Sequence, residues 1–334
     1  MTFDQIITDL KNKIYKPVYF LMGDEPFFID KITNYIQENV LTEAEKSFNF
    51  SVLYGKDSDI NNVIDNARRF PMMANYQIVI LKEAQEIKNI DTLNYYIVSP
   101  LKSTILVVNF KYKTLDKRKK LYKALNKNKD AVIFESKKMY DSQIPKWIEY
   151  FLKQKGYSID PKSTMLLAEY LGNDLSKIVN ELEKLTIVLP ANTKINAEHI
   201  EKNIGISKDF NVFELQNAIA NKDVLKANRI INYFAKNQKQ HNIIPTISAL
   251  FNFFTKILQY HFVKDKSQRN VAATIGVSPY FVKDYSLAAR NYNARKTVHA
   301  ISLLREYDMK SKGVDNVSTE PGELLKELIF KIMH

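Results

Sequence analysis

The chain has 334 residues, of which 45% are hydrophobic, and this length favours two or three domains, each with a buried core. It contains no cysteine, which excludes disulfides, thiolate zinc sites and cysteine nucleophiles. The formal net charge of +12 favours polyanionic partners, although a composition rich in Lys and Asn is also a habit of some genomes.

The amino-terminal segment does not have the pattern of a signal peptide, since Asp4 and Asp9 lie within a helical period. No apolar run approaches the ~18 residues that a membrane span requires. We therefore expect a cytoplasmic protein without membrane contact.

Strand and helix patterns alternate over residues 1–138. Runs rich in β-branched residues, typical of strands buried on both faces of a parallel sheet, are VYFLM (18–22), FSVLY (50–54), QIVIL (77–81), STILVVNF (103–110) and AVIFE (131–135). Helical patterns between them are FFIDKITNYIQENV (27–40), DINNVIDNARR (59–69), EIKNIDTLNYYIV (86–98) and LDKRKKLYKALNKN (115–128). This alternation predicts an α/β domain with βαβ connections.

Beyond residue 136 the strand pattern stops and helical periods continue to residue 334. Gly156 is placed to end one predicted helix, Pro161 to begin the next, and Asp174 to cap a third. We expect a small helical domain over residues 139–207 and a larger one over 208–334.

The stretch MGDEPFFIDKI has the layout of a nucleotide-binding turn after a strand. In the motif GxxxxGK[ST] starting at Gly23, the second glycine and the lysine are replaced by Phe28 and Ile29. Two carboxylates at the start of the following helix satisfy its dipole and repel phosphate. The position of a degenerate P-loop is therefore held by Gly23, Asp24, Glu25 and Pro26.

A second element of nucleotide chemistry is also altered. After four apolar strand residues, an ATPase of this architecture presents two acids, the first of which organises Mg²⁺. Here Lys82 and Glu83 follow the apolar run, so ATP hydrolysis by this chain is not expected. The histidines lack metal-ligand spacing and no GxSxG motif occurs, so no catalytic residue, metal or cofactor is predicted.

The segment RRFPMMANY connects a predicted helix to the third strand and contains Phe70, Pro71, Met72 and Met73. Exposed methionines are flexible and polarizable, and they suit insertion into a partner's pocket. Apolar residues at the ends of elements more often close a core. The pattern alone therefore favours the core interpretation.

Residues 111–129 hold nine basic residues against one Asp. Such a run suits contact with a phosphate backbone, but the solvated face of a helix is the commoner explanation. The candidate DNA contacts are Lys117, Arg118, Lys119 and Lys120.

The stretch NVAATIGVSPYFVKDY, residues 270–285, is typical of a helix-turn-helix, with Gly276 at the turn, Ser278 as cap and Val282 packed inward. The second helix opens with PYF (279–281), whereas base readout calls for Arg, Gln or Asn. The shape is indicated more strongly than DNA reading.

Five stretches occur in a specific order along nearly the whole chain: YFLMGDEPFFIDK, FPMMANYQIVILKEA, LGNDLSKIVNELEKL, VFELQNAIANKD and GVSPYFVKDYSLAAR. Together they resemble the delta-subunit family of bacterial DNA polymerase III clamp loaders. The resemblance implies an AAA+-like parallel-sheet domain without a functional P-loop, a small lid-like helical domain and a carboxy-terminal helical collar.

The resemblance also implies a role. Members of this family bind the ring-shaped beta sliding clamp and hold one of its interfaces open for loading onto primed DNA. They do so within a hetero-pentamer that contains clamp-loader ATPase and delta-prime-like subunits, as non-catalytic parts of a nucleotidyltransferase holoenzyme. No cofactor or small-molecule substrate is implied.

The family's clamp contact is a pair of large apolar residues at the tip of the helix before the third strand. Those positions fall on Met72 and Met73, with Phe70 and Pro71 beside them. The resemblance therefore reverses the core interpretation, although Met-Met departs from the bulkier Leu-Phe type of pair. Two alternatives are a stand-alone DNA-binding protein using residues 270–285, and an active AAA+-type ATPase.

Overall fold

The computed structural model describes residues 1–239, 241–316 and 318–334. The chain divides into two compact units, Met1–Tyr140 and Asp141–His334. The first unit ends close to the predicted limit of the α/β domain at residue 138. The further division of the helical part at residue 207 stays a prediction.

The first unit is built on a parallel sheet. Its strands are β1 (Val18–Gly23), β2 (Phe50–Tyr54), β3 (Gln77–Lys82), β4 (Thr104–Lys111) and β5 (Ala131–Ser136). Its α-helices are α1 (Phe3–Lys11), α2 (Pro26–Asn39), α3 (Glu43–Asn49), α4 (Ile60–Ala67), α5 (Asn94–Ile97) and α6 (Lys120–Lys127). The predicted α/β class is confirmed.

The strand order is β2-β3-β4-β1-β5, and every neighbouring pair is parallel. Side chains alternate between the two faces of the sheet, so Phe20 and Met22 pack with α4, α5 and α6. Tyr19 and Leu21 pack on the opposite face, with α1 and α2. The unit therefore has three layers, and the central strands are buried on both faces.

Burial on both faces was predicted for all five strands and is wrong for the two at the edges. The residues of β2 are half-buried or exposed, and those of β5 alternate, with Glu135 exposed. An edge strand has one unpaired side and less helical cover, which is why water reaches it.

Two predicted helices of this unit are shorter than expected. Residues 86–98 form a 3₁₀ turn (Ile90–Leu93) and the short α5, because Asn89 adopts a left-handed φ of 56° that interrupts the helix. The helix predicted from residue 115 begins at Lys120. Ahead of it, the Asp116 carboxylate accepts the backbone N–H of Arg118 at 2.9 Å, and consecutive cations oppose a helix amino terminus.

The described part of the second unit is mainly helical. Its helices are α7 (Ile144–Gln154), α8 (Pro161–Leu171), α9 (Leu175–Val188), α10 (Ala197–Ile204), α11 (Val212–Ala220), α12 (Val224–Lys236), α13 (Ile243–Phe262), α14 (Gln268–Ile275), α15 (Val282–Asn291), α16 (Ala294–Ser311) and α17 (Pro321–Met333). Helices α11, α12, α13, α15, α16 and α17 share one apolar core.

The predicted helix signals of this unit are confirmed. Pro161 is the first residue of α8, and Asp174 caps α9 by accepting the backbone N–H of Lys177 at 3.0 Å. Gly156 follows α7 with a φ of 81°. The expectation that strands end at residue 136 is wrong in one detail, since β6 (Ser158–Ile159) and β7 (Lys194–Ile195) form a small parallel pair.

Within the described residues, no helix is both long enough and apolar enough to span a membrane.

Candidate functional site

The loop of residues 68–76 joins α4 to β3 and projects apolar side chains into solvent. Phe70 is 75% exposed, Met72 60% and Met73 fully exposed at 102%, while Pro71 is partly exposed. The core interpretation, which the pattern alone favoured, is therefore wrong for these side chains. They also lie beyond the helix, because α4 ends at Ala67.

Buried polar side chains hold the base of this loop. The Gln77 side-chain amide donates to the carbonyl oxygens of Asn66, at 3.2 Å, and Arg69, and it lies 2.7 Å from the Thr104 hydroxyl oxygen. That hydroxyl donates to the Ala67 carbonyl at 2.8 Å. The end of α4 is thereby tied to the first residues of β3 and β4.

A second anchor holds the tip of the loop. The backbone N–H of Met72 donates to Asn49 Oδ1 at 2.6 Å, and Asn49 Nδ2 donates back to the Met72 carbonyl at 2.9 Å. Asn49 is buried and ends α3. The next residue, Met73, has a left-handed φ of 52°, which is uncommon for a residue with a β-carbon.

These anchors give the loop the character of a prepared binding surface. A group of neighbouring exposed apolar side chains is typical of a site that contacts another macromolecule. Because the backbone is already fixed by buried hydrogen bonds, binding orders fewer groups and loses less conformational entropy. The arrangement suits insertion of the tip into an apolar pocket of a partner.

The predicted P-loop position lies where β1 ends. This is the carboxyl end of the parallel strands, whereas the loop of residues 68–76 lies at their amino end. Gly23 has a φ of 125°, and a β-carbon there would lie 2.1 Å from the carbonyl oxygen of Ser136. The Glu25 backbone N–H donates to the same oxygen at 3.2 Å, and the Ser136 hydroxyl donates to the Glu25 carbonyl at 2.7 Å. The turn is therefore packed against the end of β5 instead of wrapping an anion.

The start of α2 is capped by the chain itself. Glu25 is buried, and its carboxylate accepts the backbone N–H of Phe27 at 3.1 Å, just ahead of the first turn that Pro26 begins. Asp24, which was expected to share this role, is exposed. A carboxylate bonded to the first N–H groups satisfies the positive end of the helix dipole.

Lysines occupy the neighbouring strand ends at this edge. Lys82 is the last residue of β3, and the exposed Glu83 follows it in a left-handed conformation with a φ of 52°. Lys111 ends β4 and forms an ion pair of 2.6 Å with Asp30 on α2. Among the described residues, no cluster of side chains suited to holding a metal ion is found.

The four basic residues predicted as DNA contacts lie at the start of α6. Lys117 and Arg118 precede the helix, Lys119 is its N-cap and Lys120 its first residue. Arg118 pairs with Asp116 at 2.7 Å and Lys119 pairs with Asp91 at 2.7 Å. Two of the four charges are thus already engaged within the chain, although all four side chains are exposed.

The helix-turn-helix shape predicted over residues 270–285 is present. Helix α14 ends at Ile275 and is followed by Gly276, which has a φ of 66°, and Val282 at the start of α15 is buried. Ser278 makes no side-chain cap, which corrects its predicted role, because Pro279–Phe281 form a 3₁₀ turn before α15. Tyr280, in that 3₁₀ turn, is 58% exposed.

Sequence reasoning missed the residues that hold the loop. Gln77 and Thr104 each open a strand whose next four residues are apolar, and Asn49 directly precedes β2. Polar residues at buried strand starts are the signal that was available. It does not say which carbonyl each side chain meets.

Two family models match the chain: "DNA polymerase III, delta subunit" over residues 19–137, and "DNA polymerase III delta subunit, C-terminal domain" over residues 209–325. The chain belongs to the delta-subunit family of DNA polymerase III. Delta-family chains are accessory subunits of the replicative polymerase.

Individual delta-family relatives agree. DNA polymerase III subunit delta of Bacillus subtilis (strain 168) is 28% identical over 344 residues, covering 99% of this chain and 96% of the relative. Its counterpart in Buchnera aphidicola subsp. Schizaphis graminum (strain Sg) is 27% identical over 250 residues, covering 71% and 70%. The solved DNA clamp loader delta protein of Bacillus subtilis matches with a TM-score of 0.56 at 25% identity, covering 99% of both chains.

Proposed function

We propose that this chain binds the beta sliding clamp through the loop of residues 68–76 and holds one clamp interface open for loading onto primed DNA. The observation that carries the proposal is the combination of three exposed apolar side chains with a loop backbone fixed by buried amides. Delta-family membership supports a role in the clamp loader.

The energetics are sufficient for an anchor. Burying the side chains of Met72 and Met73 in a preformed pocket contributes roughly 3–6 kcal/mol before ordering costs. Phe70, which is 75% exposed, adds to that apolar area. Unbranched methionine side chains adapt to pockets of different shapes. Selectivity for the clamp therefore comes from the fixed backbone of the loop.

Opening the ring requires no catalysis by this subunit. A protein that binds the opened or strained clamp interface more tightly than the closed one shifts the equilibrium by that difference in affinity. In this proposal the chain does not hydrolyse ATP, and neighbouring ATPase subunits control whether the loop is accessible. The self-capped α2 and the lysine at the end of β3 support that division of labour.

The remaining partners follow from the same assignment. We place the chain in a cytoplasmic hetero-pentamer with clamp-loader ATPase and delta-prime-like subunits, joined through the helical collar of residues 208–334. Primed DNA is contacted through the assembly, with Lys117 and Lys120 the most available of the four basic candidates. Replacing both with alanine should reduce by about 2 the salt dependence, Δlog K/Δlog[salt], of DNA binding by the complex.

The decisive experiment measures clamp binding by surface plasmon resonance. The full chain and the variant carrying Met72→Ala and Met73→Ala are passed over the immobilised clamp of the same organism. We expect affinity to fall by about two orders of magnitude, with an unchanged circular dichroism spectrum. Equal affinity of the two proteins would overturn the proposal that the loop binds the clamp.

A further inference from the structure

We propose that α3 belongs to the same clamp-binding surface, with Phe48 as an additional apolar contact and Asn49 as the positioning residue of the loop tip. The inference rests on the proposed function and deepens it. It is carried by contacts between α3 and the loop, two segments that are more than twenty residues apart in the chain.

The placement of α3 follows from the sheet. Strands β2 and β3 are parallel neighbours, with Phe50 beside Ile78. Phe48 lies two residues before Phe50, and the loop tip enters β3 from the same end. Adjacent strands are ~4.8 Å apart, so α3 and the loop of residues 68–76 meet at the amino ends of β2 and β3.

Asn49 is built to hold one loop conformation. Its amide pairs with both the N–H and the carbonyl of Met72, and its Nδ2 also donates to the Glu45 carbonyl at 3.0 Å. A buried amide that satisfies donor and acceptor together fixes the direction of the backbone it contacts. That backbone must be fixed, because the following Met73 is left-handed and its side chain points fully into solvent.

Phe48 is the exposed partner of this buried residue. Successive helical residues point ~100° apart, so Phe48 lies on a different side of α3 from the buried Asn49, and Phe48 is 72% exposed. A standard protein interface covers ~800 Å² on each partner. Because Phe48 is separated by a single residue from a direct contact with Met72, a clamp seated on the methionines covers it as well.

The short helix that carries both residues is itself stabilised. The Thr42 hydroxyl accepts the Glu45 backbone N–H at 3.3 Å, and the Glu45 carboxylate accepts the Thr42 backbone N–H at 2.8 Å. This reciprocal capping box holds a helix of only seven residues in place. Phe48 is therefore presented on a fixed element, as a binding residue requires.

The test compares single variants by surface plasmon resonance on the immobilised clamp. We expect Phe48→Ala to weaken binding about tenfold, and Asn49→Ala at least as much. Tyr112→Ala is the matched control. Tyr112 is 64% exposed but follows the carboxyl end of β4, at the opposite ends of the strands from α3, so this variant should bind the clamp with wild-type affinity.

Hydrogen exchange separates positioning from general stability. Asn49→Ala should accelerate amide exchange at residues 70–75 and leave β4 unchanged. Asn49→Asp keeps an acceptor for the Met72 N–H but loses the donor to its carbonyl, so its affinity should lie between those of the wild type and Asn49→Ala. If Asn49→Ala does not fold, Phe48→Ala and Asn49→Asp decide the question.

The possible failures are distinguishable. Loss of binding in the double methionine variant together with wild-type affinity for Phe48→Ala and Asn49→Asp would overturn this inference and leave the proposed function standing. Wild-type affinity of the double methionine variant would overturn the proposed function, and this inference with it.

Discussion

The side chains of Gln77 and Thr104 lie 2.7 Å apart, and the Thr104 hydroxyl passes the hydrogen-bond chain on to the Ala67 carbonyl. Both residues are buried at the amino-terminal edge of the sheet. This relay links the first residues of β3 and β4 to the end of α4, where the exposed loop of residues 68–76 begins.

Thr104→Val tests this relay. The substitution removes the hydroxyl at nearly constant volume and leaves the Gln77 amide and the Ala67 carbonyl short of a partner. We expect the free energy of unfolding in urea to fall by about 1–3 kcal/mol. Thr8→Val, at an exposed position on α1, should change it by less than about 0.5 kcal/mol. Equal unfolding curves for Thr104→Val and the wild type would contradict the relay.

Gly23→Ala tests the closed turn at the end of β1. The left-handed backbone and the close Ser136 carbonyl leave no room for a β-carbon, so the unfolding free energy should fall by about 2 kcal/mol or more. Gly205 is the control, because it is left-handed with a φ of 82° but has open space around it. Gly205→Ala should therefore lose only about 1 kcal/mol. Similar thermal midpoints for the two variants would contradict the prediction, because they would show that the turn at Gly23 rearranges to accommodate a β-carbon.

Nucleotide binding is tested by isothermal titration calorimetry. Because Glu25 caps α2 and the lysine of the P-loop is replaced by Ile29, the isolated chain should give no binding isotherm with millimolar Mg-ATP. A P-loop ATPase that binds Mg-ATP is the positive control. A saturable isotherm from the wild-type chain would contradict this expectation and favour the alternative of a nucleotide-binding site.

Glu214 gives a pH-dependent prediction in the second unit. Burial raises its pKa, but the ion pairs with Lys162, at 2.5 Å, and Lys226 outweigh burial, so the pKa of this carboxyl is lowered. A lowered pKa stabilises the fold above the unfolded-state value of about 4.5, and this contribution is lost as pH falls through the folded-state pKa.

Glu214→Gln should therefore reduce the free energy of unfolding by about 1–3 kcal/mol at pH 7, and the difference from the wild type should shrink below about pH 4. The measurement is urea denaturation at a series of pH values. Glu323→Gln, which alters an exposed pair on α17, should have little effect at any pH. A difference that is constant with pH would exclude the ion pairs as its cause.

The βα order of the first unit, the helix start at Pro161 and the helix cap at Asp174 were all predictable from local patterns. The helix start at Lys120 and the half-exposed edge strands were not. The first depends on how Asp116 competes for backbone N–H groups, and the second on which strands lie at the edges. Hydrophobic periodicity predicts neither the helix start nor the exposure of the edge strands, because it describes how apolar a segment is and not its position in the fold.

The sequence by itself determined that Ile29 stands at the position of the P-loop lysine and Lys82 at the position of the first acid, because residue spacing needs no coordinates. The residue pattern alone favoured the core over the surface for Met72 and Met73, but exposure is a property of packing. The tertiary structure decided that question. Asn49 and Thr104, distant along the chain, fix the backbone around the loop, and the side chains of Met72 and Met73 are 60% and 102% exposed.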